Sequence, residues 1–287
     1  MRINHNSMWL PCGLMLAMAT ASVAGQSAPA SSSTDQAQRQ VIAYLAKLAN
    51  LHCTESVLQE KLAANGHVER SERAQYDYLV MIEGDGDGFQ LNESRLETSS
   101  TKHKPLPMLV TNGFSTLLLI FHPYYRDSFL FEAGTEETVN GKQAIPVRFT
   151  PVAGQRTLAA LALRGREYPL ELQGTAWLDK QSGQVVRLDA SLLRDMSDIG
   201  IRSLSVRVDY KPSDLGKTSG TMILPAQAVV DVATPRQHWR NTHIFNDYKS
   251  FSTEAEQDPN VKIRPDKPSA AGGKATEDQM PDPKEKP

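Results

Sequence analysis

The chain has 287 residues with 31 basic against 33 acidic side chains, a net charge of −2, and 40% hydrophobic residues. The signs are interspersed, so there is no electrostatic footprint for nucleic acid or for an anionic lipid surface. The length suffices for one sizeable core.

Arg2 followed by the apolar run Met8 to Val23 and the small-residue end Ser22-Val23-Ala24 reads as a secretory signal peptide cut near Ala24. The run is shorter than the ~20 residues of a spanning helix and contains Pro11. Residues 1–24 are therefore expected to be removed, leaving a periplasmic protein. Cys12 leaves with the signal, so Cys53 is the single thiol and no internal disulfide framework exists. Cys53 is expected as a small apolar residue packed beneath a helix, against the alternative of a reactive thiol or intermolecular bridge.

Residues 25–38, rich in Ser, Ala and Pro up to Thr34, read as a flexible leader. Val41, Tyr44, Leu45, Leu48 and Leu51 then recur at helical spacing, with Asp35 as N-cap. Thr54 to Leu62 continues that helix or forms a second short one. Tyr76 to Glu83 and Phe89 to Glu97 alternate around the turn Gly84 to Gly88 and predict a hairpin. Ser99 to Pro107 is a loop. Gly113 to His122 is apolar and stopped by Pro123, which predicts a short buried helix, with a strand as the alternative.

From Tyr125 onward nearly everything is strand. Asp127 to Phe131 is followed by Glu137 to Val139, the hairpin signal Asn140-Gly141, and Ile145 to Phe149. Further strands are Leu172 to Asp179, Val185 to Leu193, Ile201 to Tyr210, Met222 to Val232 and His243 to Phe251, with Pro225 at an edge, a bulge or a strand start. Short turns without intervening amphipathic helices imply antiparallel pairing. In the hairpin Leu172 to Leu193 the apolar phase holds Leu172, Ala176 and Leu178 on one arm and Val186, Leu188, Ala190 and Leu192 on the other. Thr253 to Pro287 carries almost no large apolar residue and is expected to be disordered.

The chemical motifs are few. Gly84 to Gly88 places Leu96 where a calcium loop needs its bidentate Glu, so it reads as a turn. His238 and His243 have no local Cys, Asp or Glu to complete a metal site. No nucleophile elbow, zinc-protease helix or phosphate loop occurs. The chain is expected to be no enzyme and to use no cofactor and no metal.

Several words resemble one family. The hairpin GTAWLDKQSGQVVRLDASL (Gly174 to Leu192) resembles a recurrent pattern of the LolA-like periplasmic lipoprotein-carrier superfamily. Val139-Asn140-Gly141 with Val147-Arg148-Phe149 resembles the strand pair before it. Phe245 to Phe251 and Cys53-Thr54-Glu55 resemble segments of a poorly characterised exported bacterial branch. The resemblance spans roughly Arg39 to Phe251. It implies an α+β, mainly antiparallel fold over residues 39–252: a half-open β-barrel with an N-terminal helix and a short helix covering its concave face. It also implies a carrier or binding protein for a lipid or lipidated molecule in a concave apolar groove.

Candidate groove residues are Leu117, Leu118, Phe121, Phe129, Phe131 and Phe149, with Trp177 as a wall and Arg187 at a polar mouth. The expected partner is a hydrophobic ligand or an envelope protein, with no nucleic acid. The alternative is an envelope interaction module of RseB-like type with a closed interior and no lipid cargo.

Overall fold

Period-two alternation carries most of this chain into strands. The computed structural model describes residues 30–48, 51–83, 90–97, 114, 116–163, 165–215 and 220–250. All lie in one compact unit, Met1–Phe251. The expected signal peptide, the Gly84 to Gly88 turn, the Ser99 to Pro107 loop and the tail 253–287 lie outside the described residues.

The described residues form one α-helix, α1 (Ala30–Leu48), and thirteen strands. The strands are β1 (Leu51–Leu62), β2 (Val68–Glu83), β3 (Gln90–Glu97), β4 (Phe129–Ala133), β5 (Glu137–Val139), β6 (Lys142–Pro151), β7 (Ala159–Leu163), β8 (Arg166–Leu170), β9 (Leu172–Asp179), β10 (Val185–Leu192), β11 (Ser203–Asp214), β12 (Thr221–Ala233) and β13 (His238–Ser250). Eleven of them make one open antiparallel sheet in the order β3-β2-β1-β13-β12-β11-β10-β9-β6-β4, with β5 added to β6; β7 and β8 pair separately. The fold is α+β and mainly antiparallel, a half-open barrel whose edges β3 and β4 do not meet.

One row across the sheet shows how its inner face is built. Val147, Ala176, Leu188, Val208, Ala228, His243 and Val57 stand opposite one another on successive strands, and all are buried. The intervening residues point the other way and carry charge pairs: Arg207 with Asp189 at 2.7 Å, Arg187 with Asp209 at 2.8 Å, and Arg240 with Asp231 at 3.1 Å. These cross-strand pairs fix register on the solvated face more than they add stability.

Local chemistry sets the turns. Asn140 and Gly141 both have positive φ (51° and 76°), the conformation a tight β5–β6 hairpin requires. Asp179 closes the β9–β10 turn by accepting from the backbone N–H of Gln181 (3.0 Å) and Ser182 (2.8 Å). Burial works to raise the Asp179 pKa, but the Ser182 hydrogen bonds and Lys142 bring it below its ordinary value.

Three expectations are corrected. Residues 51–62 are not helical but form β1, in which Leu51, Cys53, Glu55 and Val57 alternate inward. Cys53 is 1% exposed on that strand, packed in the sheet. The apolar run does not form one α-helix. It is a 3-10 helix, Thr116–Phe121, followed after His122 by a second, Pro123–Ser128. Leu117 to Phe121 are buried without interruption, so no 3.6-residue periodicity was there to read. His122 caps the second turn, its Nδ1 accepting from the Tyr124 N–H at 3.2 Å.

Helix α1, finally, is already formed at Ala30, so Asp35 lies inside it and part of the expected leader is helical. Small residues make this possible. Ser33 and Ala37 are buried on the helix, and Gln36 lies so close to Gly183 that a Cβ there would meet its side chain at 2.4 Å.

Candidate functional site

The inner face of the sheet has an apolar half and a polar half. It is covered by α1, through Ala37, Val41, Tyr44 and Leu45, which approaches β2, β4 and β6 and shares a cavity with β10, β11 and β12, and by the first 3-10 helix beside it. Aromatic rings fill the β4–β6 end. Phe121 stacks on Phe131 with centroids 5.4 Å apart, and Phe129 meets Phe149 edge-on at 5.9 Å. Beneath α1 the packing leaves a cavity of about 100 Å³ between Val41, Tyr44, Leu118, Val185, Tyr210 and Met222, with Gln40, Lys47 and Thr221 among its polar lining. Tyr210 is among the lining residues, and its hydroxyl is buried with no hydrogen-bond partner among the described residues. A buried hydroxyl left unpaired costs about 1–3 kcal/mol, so this position favours a visiting polar atom.

The polar half is a charged cluster on β1, β3 and β13. Glu55 is 0% exposed and His243 1%. Arg95 forks onto the carboxylate, Nη2 to Oε1 at 2.7 Å and Nε to Oε2, and the His243 Nδ1 lies 2.8 Å from Oε1. Phe114 covers the imidazole at 4.6 Å, and Arg95 sits over the Tyr78 ring at 5.6 Å. Burial pushes the Glu55 pKa up, but hydrogen bonds from His243 and Arg95 with the guanidinium charge hold it below its ordinary value. Burial lowers the His243 pKa and outweighs the attraction of Glu55. The imidazole is therefore neutral at pH 7 and donates its Nδ1–H to the carboxylate.

Glu55, Arg95 and His243 brace one another in the interior. A base needs a nucleophile within hydrogen-bond reach. Cys53, two residues along the same strand face, has its pKa pushed up to about 12 chiefly by burial and stays a thiol. Among the described residues no group of three or more His, Cys, Asp or Glu is placed to hold a metal. His238 lies apart from His243, with its Nε2 3.0 Å from Asp231.

The cluster makes stability depend on pH with a definite sign. His243 has a folded pKa below its ordinary 6.5, so the unfolded chain takes up the proton first as pH falls. The stability His243 contributes is present above about 6.5 and is lost on the way down to its folded value. Glu55, depressed below 4.5, extends the loss in the same direction at lower pH. The melting temperature is expected to fall between pH 7.5 and pH 5, and to fall less in His243→Gln, which can still donate to Glu55 but cannot titrate. Equal slopes in the two proteins would show that His243 does not drive the dependence.

The groove residues expected from the sequence divide between two faces. Leu117, Leu118, Phe121, Phe129 and Phe149 are all in the buried interior, and Phe131 packs against it partly exposed. Trp177 and Arg187 stand opposite each other on the outer face. Trp177 covers Val139, Ala144 and Val186 and donates its indole N–H to Glu137. Arg187 is tied to Asp209 and Asn140. The Glu55–Arg95–His243 cluster was not expected. Its only signal in the sequence is a charged residue at the inward phase of a strand, once β1 is recognised as one.

No protein-family model matches the chain, and no curated protein matches it. Among solved structures it is similar to a DUF1329 family protein from Desulfovibrio piger, at 13% identity and TM-score 0.44 over 78% of this chain and 94% of the other. It is also similar to a LolA superfamily protein from Nitrosomonas europaea, at 11% identity and TM-score 0.37 over 78% and 94%. The open antiparallel half-barrel with α1 on its inner face is the fold expected from the sequence.

Proposed function

We propose that this chain is a non-enzymatic binding protein of the cell envelope that takes a slender apolar group, an acyl chain of a lipid or lipidated molecule, between α1 and the inner face of its sheet. The observation that carries the reading is the cavity under α1, lined by Val41, Leu118, Val185 and Met222 with Gln40, Lys47 and Thr221 at its polar part. Ligand pockets run to about 300–1,000 Å³, and this one is about 100 Å³. Uptake therefore needs α1 to lift.

Two polar ties of α1 are weak. Gln36 donates to the Gln181 carbonyl at 3.3 Å, and Arg126 meets Asp35 at 3.7 Å with both side chains more than half exposed. Such exposed pairs contribute about 0–1 kcal/mol. Each CH₂ of an acyl chain placed beneath the helix would offset about 0.8 kcal/mol of that opening.

Arg2, the apolar run to Val23 and the small residues before Ala24 support export to the periplasm. No helix among the described residues is long and apolar enough to cross a membrane.

The fullness of the interior favours a second reading, an interaction module without lipid. Leu118→Phe separates the two. In a carrier the larger ring fills the cavity, uptake of a fluorescent fatty acid falls several-fold, and the melting temperature barely changes. In an interaction module the wild type takes up no fatty acid and the ring overpacks the core at a cost of about 1–3 kcal/mol.

A further inference from the structure

Strands β12 and β13 part halfway along. From Gln227 to Ala233, β12 pairs with β13 residues His238 to Ile244. Beyond that point β12 continues to pair with β11 down to Thr221, and β13 continues to pair with β1 up to Ser250, but not with each other. Among the described residues, the six residues Phe245 to Ser250 thus have a strand neighbour on one side only.

Sequence features build the parting. Pro225 has no N–H to give a ladder, and next to it Ala226 is skipped in the register with β11, which steps from Asp209↔Gln227 to Tyr210↔Pro225. On β13 the register with β1 steps from Thr54↔Asn246 to His52↔Lys249, and Asp247 in that step has φ +55°. A non-glycine residue in the left-handed region is held there by its surroundings. Tyr248 then reaches across, its hydroxyl donating to the Pro225 carbonyl at 2.8 Å. Proline, two bulges and a side-chain clasp together keep the strands apart.

The parting opens onto a groove of about 810 Å³ on the outer face. Lys211 to Asp214 of β11 form one bank, Ile244 to Lys249 of β13 the other, and Ala226 and Gln227 lie between. We propose that this groove is a docking site for an extended segment of a partner protein, which adds as a strand along the free edge of β13. A row of unpaired backbone N–H and C=O groups is complementary to one class of ligand, another extended backbone. Asp214 and Asp247 are matched in number by Lys211 and Lys249 along the banks, and Asp209 is paired with Arg187, so the backbone rather than net charge sets the recognition. Six residues of edge make about 20 Å of strand. The groove shares no lining residue with the cavity under α1 and does not rest on lipid binding.

Amide hydrogen exchange on the full chain tests it. The probes are three decapeptides whose cores alternate valine with threonine, lysine or glutamate. In the free protein every second amide of Phe245 to Ser250 should exchange at least tenfold faster than the amides of His238 to Ile244. At least one peptide should slow that exchange and bind with a micromolar dissociation constant. Ala226→Trp, which fills the floor, should weaken binding at least tenfold while leaving fatty-acid uptake unchanged. If Ala226→Trp does not fold, the wild-type exchange alone decides. Edge amides already protected in the free chain, protection that appears only as protein concentration rises, or no protection by any of the three peptides would each overturn the proposal.

Discussion

Glu55→Ala is expected to cost about 3–5 kcal/mol, the penalty for breaking a buried ion pair from one side. The carboxylate is fully buried and accepts from two partners at once. Its loss strands the Arg95 guanidinium, whose side chain is 13% exposed, and removes the acceptor of the His243 N–H. For a fold of this size each kcal/mol shifts the melting temperature by about 2–4 °C, so a drop of roughly 6–20 °C is expected. The triple change Glu55→Leu, Arg95→Leu, His243→Phe should recover most of it, because replacing a whole buried polar cluster by apolar groups is often neutral. Denaturant unfolding of Glu55→Ala and of the triple variant beside the wild type measures this. A loss under about 1 kcal/mol for Glu55→Ala would mean the cluster is hydrated and that Phe114 does not seal it.

That cluster also marks where the sequence stopped being legible. The Asn140-Gly141 and Asp179 to Gly183 hairpins could be read because turn chemistry is local. The runs β10 to β12 could be read because their inward positions are uniformly apolar or small over several residues. β1 could not, because Glu55 occupies its inward phase and interrupts the alternation of Leu51, Cys53 and Val57. The residue that disguises the strand is the one that makes its interior polar. His243 was weighed only against a metal site, although its phase on β13, two residues from buried Asn241 and Phe245, makes it an inward residue.

The interior apolar set was legible by type, since Leu117, Leu118, Phe121, Phe129 and Phe149 had nowhere else to go. Trp177 and Arg187 were chosen by type against phase. Leu178 already claimed the inner face of β9, and Arg187 pairs with Trp177 across the hairpin on the other. The parting of β12 and β13 depends on long-range register, which no local pattern encodes, although Pro225 pointed to a bulge.

Gly174→Ala is expected to destabilise by about 3 kcal/mol, the upper end of the overpacking range. The ordinary expectation has the opposite sign, since Gly inside a strand is worse than Ala by about 0.5–1 kcal/mol. Here Gly174 lies between Phe149 on β6 and Ala190 on β10. A Cβ would sit 2.8 Å from the Phe149 ring and 1.9 Å from the Asp189 carbonyl oxygen. The ring can turn aside, but the carbonyl belongs to the ladder with β10 and cannot move without breaking it. Phe149→Leu should therefore rescue only a minor part of the loss, and the double-mutant coupling should stay below about 1 kcal/mol, well short of the full effect. The backbone clash also reaches the interior, because pushing β9 off β10 tilts the Phe149 wall that packs on Phe129. Thermal unfolding of Gly174→Ala with and without Phe149→Leu reads both quantities. A neutral or stabilised Gly174→Ala would show that β9 and β10 do not approach this closely, and full rescue by Phe149→Leu would assign the cost to the ring instead of the backbone.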